Sequence, residues 1–257
     1  MWDPQQYLKF SEERARPFFD LLSQVKRERV RHAVDLGCGP GELTHVLAER
    51  RNWPAANFIG VDNSPEMLEK ARLLTIVGRL TFELGDIATW KSDVPLDLIV
   101  SNAALHWVPD HARLLPALAE MLAPGGTIAV QMPSRFQTPA QKAIDETVRQ
   151  PRWAALKGLG LQPDCVMPIA WYVERLHDLA FEVNAWETIY IHVLSGADPV
   201  LEWLKGTALR PLLNRLDAEA KDRFLAELAG RLRAAYPASG AYTLFPFPRI
   251  FFVATKK

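Results

Sequence analysis

This sequence has few cysteines, no net charge and no long apolar run, and each of these features argues against a class of protein. The 257 residues include only two cysteines, Cys38 and Cys165, too few for a disulfide framework. Basic and acidic residues both total 30, and this balance argues against nucleic acid or an anionic membrane as a partner. Because no apolar run reaches about 18 residues and the N-terminus is polar, we predict a soluble, cytoplasmic protein.

Hydrophobic patterning predicts an α/β fold for the first 133 residues. Near-continuous apolar runs, which are typical of parallel strands covered on both faces, alternate with amphipathic helical stretches. The predicted strands are 33–37, 57–62, 80–86, 96–102 and 126–133. One intervening helix begins with Ser64 as N-cap and Pro65 in its first turn, and "HARLLPALAEMLAPGG" ends at a proline–glycine stop. Such alternation indicates a doubly wound, mostly parallel sheet.

The organisation changes after residue 133. Helical patterns and loops occupy 134–180, and 136–168 carry no interpretable motif. A β-rich stretch at 185–194, a helical stretch at 198–236 broken at Gly206 and Pro211, and a strand at 249–255 follow. We therefore predict a seven-stranded sheet within one integrated domain. Residues 1–133 form the α/β core with an N-terminal helical flap, and 134–257 supply a helical cap and the last two strands.

The stretch "AVDLGCGPGE", residues 33–42, places three glycines directly after a buried strand. Glycine at such a junction marks either a tight structural turn or a close approach to a ligand, and first loops of this kind are mostly ligand loops. A dinucleotide fingerprint needs a glycine where Glu42 stands. A phosphate-binding loop needs a lysine and a Ser or Thr that are absent.

Polar residues end three successive predicted strands. Asp62 ends the second strand, at a position where an acid can hold both hydroxyls of a ribose. Asp86 ends the third, placed to accept from an exocyclic amine beside the apolar Ile87, and Asn102 ends the fourth. Each acid can alternatively be a helix N-cap or a turn residue. Three in succession favour a ligand site.

Five motifs now fall in order over residues 33–130: "VDLGCGPGE", "GVDNSPEML", "GDI", "SNAALHWV" and "LAPGG". Together they resemble the class I S-adenosylmethionine-dependent methyltransferases. The resemblance implies that S-adenosylmethionine is the cofactor, without a metal. It also implies positions for the cofactor's parts: the methionine part over Gly37, Cys38 and Gly39, the ribose at Asp62 and Asn63, the adenine at Asp86 and Ile87, and the sulfonium near Asn102 and Ala103.

The flanks resemble one family within that superfamily, the trans-aconitate 2-methyltransferases. The matching pieces are "WDPQQYLKFSEERARP", "NAALHWVPDH", "VQMP", "GTALRP" and "LFPFPRIFF". The resemblance implies methyl transfer from S-adenosylmethionine to a carboxylate of trans-aconitate, giving a monomethyl ester and S-adenosylhomocysteine. At the N-terminus, Tyr7 and Arg16 are candidates to fold over the cofactor. Because Pro17 suits a helix start, Arg16 is alternatively a surface flank.

A carboxylate acceptor sets particular demands on the site. With a pKa of about 4 it is already an anion, so no general base is needed, only alignment and exclusion of water. Arginine on the attacking oxygen would stabilise the ground state more than the transition state, so arginines should hold the spectator carboxylates. Arg210 and Arg249 are the best candidates; salt bridges to other carboxylates are the alternative for both.

Four aromatic residues complete the candidates. Tyr172 and Trp203 can supply hydroxyl and indole donors to the substrate, although both residue types more often serve as core aromatics. His106 and Trp107 follow Asn102 closely enough to line the transfer site. His106 is alternatively a base for an O–H or N–H acceptor.

Three rival functions remain open from the sequence. One keeps the cofactor and changes the acceptor to another small acid, a phenol or an amine. A second is an NAD-dependent dehydrogenase on the same sheet, which Glu42 and the "GDI" pair disfavour. The third is a non-catalytic S-adenosylmethionine-binding protein. In the favoured interpretation the partner is a small tricarboxylate, with no nucleic acid, membrane or protein partner.

Overall fold

A computed structural model of the chain describes residues 11–49, 53–134, 138–156, 158, 165–206 and 208–257. The chain divides into two compact units. The first, here called the sheet unit, comprises Arg14–Pro133, Cys165–Thr188 and Arg249–Lys257. The second, here called the helical unit, comprises Met1–Glu13, Ser134–Asp164 and Ile189–Pro248. The change of organisation expected after residue 133 coincides with one limit of these units, and the single integrated domain stays a prediction.

Strands and helices alternate through the first half of the chain. The strands are β1 His32–Leu36, β2 Asn57–Asp62, β3 Leu80–Leu84, β4 Leu96–Asn102, β5 Leu122–Pro133, β6 Phe181–Ser195, β7 Ala238–Ser239 and β8 Tyr242–Lys256. The α-helices are α1 Ser11–Ser23, α2 Glu42–Glu49, α3 Pro65–Ala71, α4 His111–Met121, α5 Pro139–Val148, α6 Ile169–Asp178, α7 Pro199–Lys205, α8 Arg210–Leu213 and α9 Ala218–Ala235. Among the described residues, short 3-10 helices cover Arg72–Leu74, Leu105–Trp107 and Pro151–Leu156. No described helix is long and apolar enough to cross a membrane.

The strands form one sheet in the order β3-β2-β1-β4-β5-β8-β6, with β7 paired to β8. The first five strands pair in parallel, and β5 pairs with β8 in antiparallel fashion. The order reverses between β1 and β4, and such a switch point is where ligands bind in open α/β sheets. The predicted doubly wound, mostly parallel sheet is confirmed, with the two-residue β7 as an eighth, unexpected strand.

Several element boundaries differ from the predictions. Strands β6 and β8 extend beyond the expected 185–194 and 249–255, and two further differences lie near the candidate site. The third strand ends at Leu84, earlier than the expected residue 86, and Asp86 lies in the turn that follows. The helix before β5 ends at Met121, and β5 itself begins at Leu122, so the "LAPGG" segment lies inside a strand. Pairing continues there because the register to β4 shifts between Leu96 and Leu98, an irregularity that accommodates extra residues.

Of the two prolines expected at helix starts, Pro65 is confirmed there and Pro17 is not. Ser64 caps α3 by accepting from the N–H of Met67, with Pro65 in the first turn, as predicted. Pro17, expected at a helix start, instead lies inside α1. A proline in a helix interior is unfavourable, but Phe18 and Leu21 are fully buried immediately after it. This packing stabilises a helix that propensity alone would end.

Each unit has its own apolar core. In the sheet unit, β1 is buried on both faces from Ala33 to Leu36, as parallel strands covered by helices require. Its core also includes Tyr172 of α6 and Phe252 of β8. The core of the helical unit is built around Trp203 and Phe224.

Candidate functional site

The glycine loop after β1 is tied to the end of β2. The backbone N–H groups of Gly37 and Cys38 both donate to the carbonyl of Val61, at 2.8 and 3.0 Å. Gly37 has a φ of +81°, and a Cβ added there would lie 2.1 Å from the Cβ of Ala104. No larger residue fits without displacing backbone. Gly39, with φ +55°, has nothing within 4 Å of an added Cβ, so this side of the loop is open.

Asp62 is held by the loop that it faces. One carboxylate oxygen accepts from the N–H of Gly39 at 2.9 Å, and the other accepts from the N–H of Ser64 at 2.9 Å. These bonds fix the carboxylate in place. Each oxygen can accept a further hydrogen bond, so a pair of vicinal hydroxyls fits this acid. Asn63, between Asp62 and Ser64, is exposed.

Asp86 shapes the turn after β3. Its side chain accepts from the N–H of Ala88 at 2.8 Å, and its carbonyl accepts from Thr89 and Trp90. The turn role weighed for this acid is therefore present, and its exposed carboxylate retains further acceptor capacity. Ile87 next to it lies 3.5 Å from the position of an added Cβ at Gly37. The turn thus brings an apolar side chain against the glycine loop.

The end of β4 combines backbone strain with an unsatisfied acceptor. Ala103 has a φ of 52°, a conformation that costs a non-glycine residue about 1 kcal/mol or more. Its N–H donates to the carbonyl of Gln131 at 2.9 Å, which holds the strained turn. The side-chain oxygen of Asn102 is buried, and no described residue donates to it. A ligand donor at this position would satisfy it.

His106 and Trp107 lie in the 3-10 helix that follows. The His106 ring is buried, while Trp107 is 48% exposed. The two ring centroids are 4.8 Å apart with planes tilted by 41°. The pair follows the strained turn directly, so both rings belong to the same segment as Asn102.

Tyr172 lies in the core of the sheet unit and is 0% exposed. Its hydroxyl accepts from the N–H of Met167 at 3.1 Å and lies 2.6 Å from Nδ1 of His111. The second ring nitrogen of His111 contacts the carbonyl of Leu105 at 2.9 Å. Burial lowers the pKa of His111 and raises that of the Tyr172 hydroxyl. A neutral histidine accepting from the tyrosine fits both, and this network fits the core role weighed for Tyr172.

Arg249 begins the part of β8 that belongs to the sheet unit and is only 4% exposed. It pairs in register with Pro133, the last residue of β5, and therefore lies at the carboxyl end of the parallel strands. One guanidinium nitrogen donates to the side-chain oxygen of Gln131 at 2.9 Å. The sequence analysis did not single out Gln131. The sequence feature that could have identified Gln131 is the presence of an amide residue inside the apolar run of β5.

A buried acid beneath the glycine loop was also missed. Asp35 of β1 accepts from the hydroxyl of Thr44 at 2.6 Å. Burial raises its pKa to about 6, although the bond from Thr44 lowers it, and the charge of Asp62 adds to the rise. Burial, with the charges of Asp35 and Asp62, also raises the pKa of the Cys38 thiol. Cys38 is thus a protonated loop residue, as expected of a position with no nucleophilic role.

The positions of the remaining candidate residues give less support for a role in the site. Arg16 is exposed on α1, with its Nε 3.8 Å from a carboxylate oxygen of Asp20; Tyr7 lies outside the described residues. In the helical unit, Arg210 is exposed at the start of α8. Trp203 is 1% exposed and stacks on His192 with ring centroids 4.3 Å apart, a placement that fits its core alternative. Across the described ranges, no three or more His, Cys, Asp or Glu side chains are grouped as metal ligands.

Comparison with known protein families identifies the chain as a methyltransferase. A family model described as a methyltransferase domain matches residues 29–172. A curated relative from Streptomyces avermitilis, named trans-aconitate 2-methyltransferase, is 48% identical and covers 100% of this chain and 97% of its own. One of the same name from Mycobacterium tuberculosis is 45% identical over 99% of this chain and 96% of its own. The chain therefore belongs to the trans-aconitate 2-methyltransferase family.

Solved structures agree on the fold at low sequence identity. The YcgJ protein of Bacillus subtilis aligns with a TM-score of 0.59 and 15% identity, covering 93% of this chain and 97% of its own. A methyltransferase of Geobacter sulfurreducens, solved with S-adenosylhomocysteine, aligns with a TM-score of 0.53 and 20% identity, covering 99% and 92%. Both place the chain in the Rossmann-like methyltransferase fold.

Proposed function

We propose that the protein transfers a methyl group from S-adenosylmethionine to a carboxylate oxygen of trans-aconitate, giving the monomethyl ester and S-adenosylhomocysteine. The observation that carries this proposal is the buried Arg249, which lies at the same sheet edge as the glycine loop and the end of β4. A buried guanidinium is suited to a polyanion. The names of the full-length relatives support the same substrate.

The residues at the strand ends fit the cofactor. Asp62 would accept from both ribose hydroxyls, with Asn63 beside it, while Ile87 and Asp86 would receive the adenine. Gly37, Cys38 and Gly39 would pass beneath the methionine part, because the open side of Gly39 leaves room for a ligand. The unsatisfied oxygen of Asn102 would accept from the cofactor's ammonium group, next to the strained Ala103. Bound there, S-adenosylmethionine supplies a methyl group activated by its sulfonium.

The chain's own task is to hold the acid and to exclude water. Arg249 would bind a spectator carboxylate and leave the attacking oxygen without a cation, since a cation there would slow the reaction. His106 and Trp107 would form the wall of the transfer site. No residue has to remove a proton, because the acceptor is already an anion at neutral pH. We therefore expect a rate that is flat from about pH 6 to 9.

The remaining assignments are proposals of the same kind. Arg210 would bind a second remote carboxylate, and Arg16 and Tyr7 would close over the cofactor. Tyr172 and Trp203, the candidate donors to the acid, would instead keep the core roles that their burial favours. We place the reaction in the cytoplasm, with the small tricarboxylate as the protein's partner.

The test is formation of S-adenosylhomocysteine from S-adenosylmethionine with a panel of trans-aconitate, cis-aconitate, citrate and isocitrate. A rate confined to trans-aconitate supports the proposal. A rate with another acid changes the substrate but still requires no base. A pH-dependent rate with phenols or amines identifies a different class of acceptor and makes His106 the candidate base. Cofactor binding without turnover of any acceptor indicates a binding protein, and a melting temperature raised by NAD would favour the dehydrogenase.

A further inference from the structure

Gln131 is a polar residue placed between apolar neighbours in a buried strand. It lies in β5 between Val130 and Met132, and all three are 0% exposed. A buried amide is unfavourable unless its oxygen and its two N–H groups find partners. The contacts of Gln131 therefore indicate why an amide is present at this point of the strand.

The contact with Arg249 fixes which way the amide points. A guanidinium has only donors, so the atom 2.9 Å from it must be the amide oxygen of Gln131. The other terminal atom of the Gln131 side chain is therefore the amide nitrogen. It is buried, and no residue in the described part of the chain accepts from it. A buried donor left in this state destabilises the protein unless a ligand accepts from it.

The register places this donor at the candidate site. Gln131 pairs with Asn102 on one side and with Phe251 on the other. Side chains directly opposite one another share a face of the sheet, and Arg249, two residues from Phe251, shares it too. Trp186 stacks on Phe251 with ring centroids 4.9 Å apart and planes 9° apart. One face at the carboxyl end of β4 and β5 thus combines an unsatisfied acceptor, an unsatisfied donor and a guanidinium beside a flat aromatic pair.

We propose that Gln131 is a substrate-binding residue whose side-chain N–H donates to a carboxylate oxygen of the acid that Arg249 also holds. This rests on the proposed function and names a further residue for it. The amide serves two partners at once, since its oxygen orients the guanidinium and its nitrogen binds the acid. A neutral donor suits this place, because it adds a hydrogen bond to the acid without burying a second charge beside Arg249.

The test measures binding of trans-aconitate to the S-adenosylhomocysteine complex by calorimetry, together with the KM and kcat of the reaction. Gln131→Met keeps the length of the side chain and removes the amide. We expect acid affinity to fall, and KM to rise, by about 10- to 100-fold, as for loss of a hydrogen bond to a charged group. The affinity for S-adenosylhomocysteine should stay within about twofold. Thr127→Val is the matched control, since it removes a buried hydroxyl from the same strand, where Thr127 faces Thr255 at 3.3 Å.

A double-mutant cycle separates direct binding from positioning of Arg249 alone. If the amide binds the acid, Gln131→Met still weakens acid binding several-fold in an Arg249→Met background. If it acts only through the guanidinium, it has no further effect there, and the inference is overturned. Wild-type affinity in Gln131→Met also overturns it.

Two further outcomes keep the inference and the proposed function apart. A wild-type protein that neither binds nor methylates trans-aconitate overturns both. Should Gln131→Met fail to fold, Gln131→Glu keeps the oxygen that accepts from Arg249 and has nearly the same shape. It loses the N–H donors and adds a charge of the same sign as the acid, so acid binding should fall by more than 100-fold, about 3 kcal/mol. Unchanged acid binding in this variant contradicts the assignment.

Discussion

The sheet unit and the helical unit use buried polar groups differently. In the sheet unit, Asn102 and Gln131 at the strand ends each have one side-chain atom that no described residue satisfies. In the helical unit, Nε of Arg231 is likewise unsatisfied, but the same guanidinium lies 3.1 Å from Glu146 and 3.7 Å from Glu227. Several other buried polar groups there stabilise the fold. The Tyr236 hydroxyl accepts from the N–H of Ala140, and the Trp153 indole donates to Glu227.

This difference indicates where the chemistry is concentrated. Buried polar atoms are nearly always satisfied within a folded protein, so unsatisfied ones gathered at one sheet edge point to a ligand. Buried polar atoms that are paired within the protein indicate a structural role. We therefore expect the ligand site within the sheet unit, whereas the candidates in the described part of the helical unit are one core aromatic, Trp203, and one exposed cation, Arg210.

The largest expected effect comes from Gly37→Ala. The added Cβ would meet the Cβ of Ala104 at 2.1 Å, in a backbone conformation that L residues rarely adopt. Crowding and strain together are worth about 3 kcal/mol, so affinity for S-adenosylhomocysteine should fall on the order of 100-fold or more. Calorimetric titration measures it. Gly78→Ala is the matched control, because Gly78 also has a positive φ, +73°, but open space around it. Equal effects of the two changes on cofactor binding would mean that the loop's close approach is irrelevant to the site.

Arg249→Ala addresses the acid end of the same edge. Loss of a buried guanidinium should raise the KM for trans-aconitate by about 100-fold, with little change in cofactor affinity. Arg210→Ala is the comparison from the helical unit. Because Arg210 is exposed, its removal should raise KM by less than about 10-fold. Steady-state kinetics at saturating cofactor measures both. A larger effect at Arg210 would move the substrate site toward the helical unit, and an equal loss of cofactor binding in Arg249→Ala would remove that arginine from the substrate.

Much of this edge could be predicted from the sequence, because short-range patterns specify it. The second and fourth strands end at Asp62 and Asn102 as expected, and the glycine run follows β1. Gln131 could not be predicted, since its partner Arg249 is 118 residues away and an isolated amide in an apolar run does not identify it. Tyr172 likewise looked like a donor until burial and His111, 61 residues away, gave it a place in the core.

Asp35→Asn tests the buried acid under the loop. The folded state raises the pKa of Asp35 from 3.8 to about 6, so between these values the folded state binds the proton more tightly. Stability from this group is therefore present below about pH 4 and declines as pH rises to about 6, by up to about 3 kcal/mol. Asn removes this decline, so the variant's stability relative to wild type should increase between pH 4 and 7 and stay level above. Urea unfolding at several pH values measures it.

Asp97 supplies the control of opposite sign. Although burial raises its pKa, bonds from the N–H of Arg31 and from Arg27 outweigh this and lower it. Its contribution is present above the unfolded pKa and is lost as pH falls. Asp97→Asn should therefore destabilise the protein at neutral pH. Identical pH trends in the two variants would contradict the burial argument for Asp35.

Trp203→Phe should have the smallest effect on activity. Trp203 is packed within the helical core against His192 and Phe245, so the shorter ring should lower stability by about 1–3 kcal/mol and leave KM within about twofold. Thermal unfolding and steady-state kinetics report the two quantities separately. A large rise in KM at unchanged stability would assign the indole to the substrate and weaken the contrast between the units.

The thiol in the glycine loop has a chemical consequence for an enzyme of this class. Burial and the neighbouring carboxylates of Asp35 and Asp62 raise the pKa of Cys38, so its sulfur stays protonated at physiological pH. A thiolate is the form of cysteine that attacks electrophilic carbon. If the loop holds the alkylating cofactor as proposed, a protonated Cys38 would avoid self-alkylation, and the methyl group would be kept for the acid.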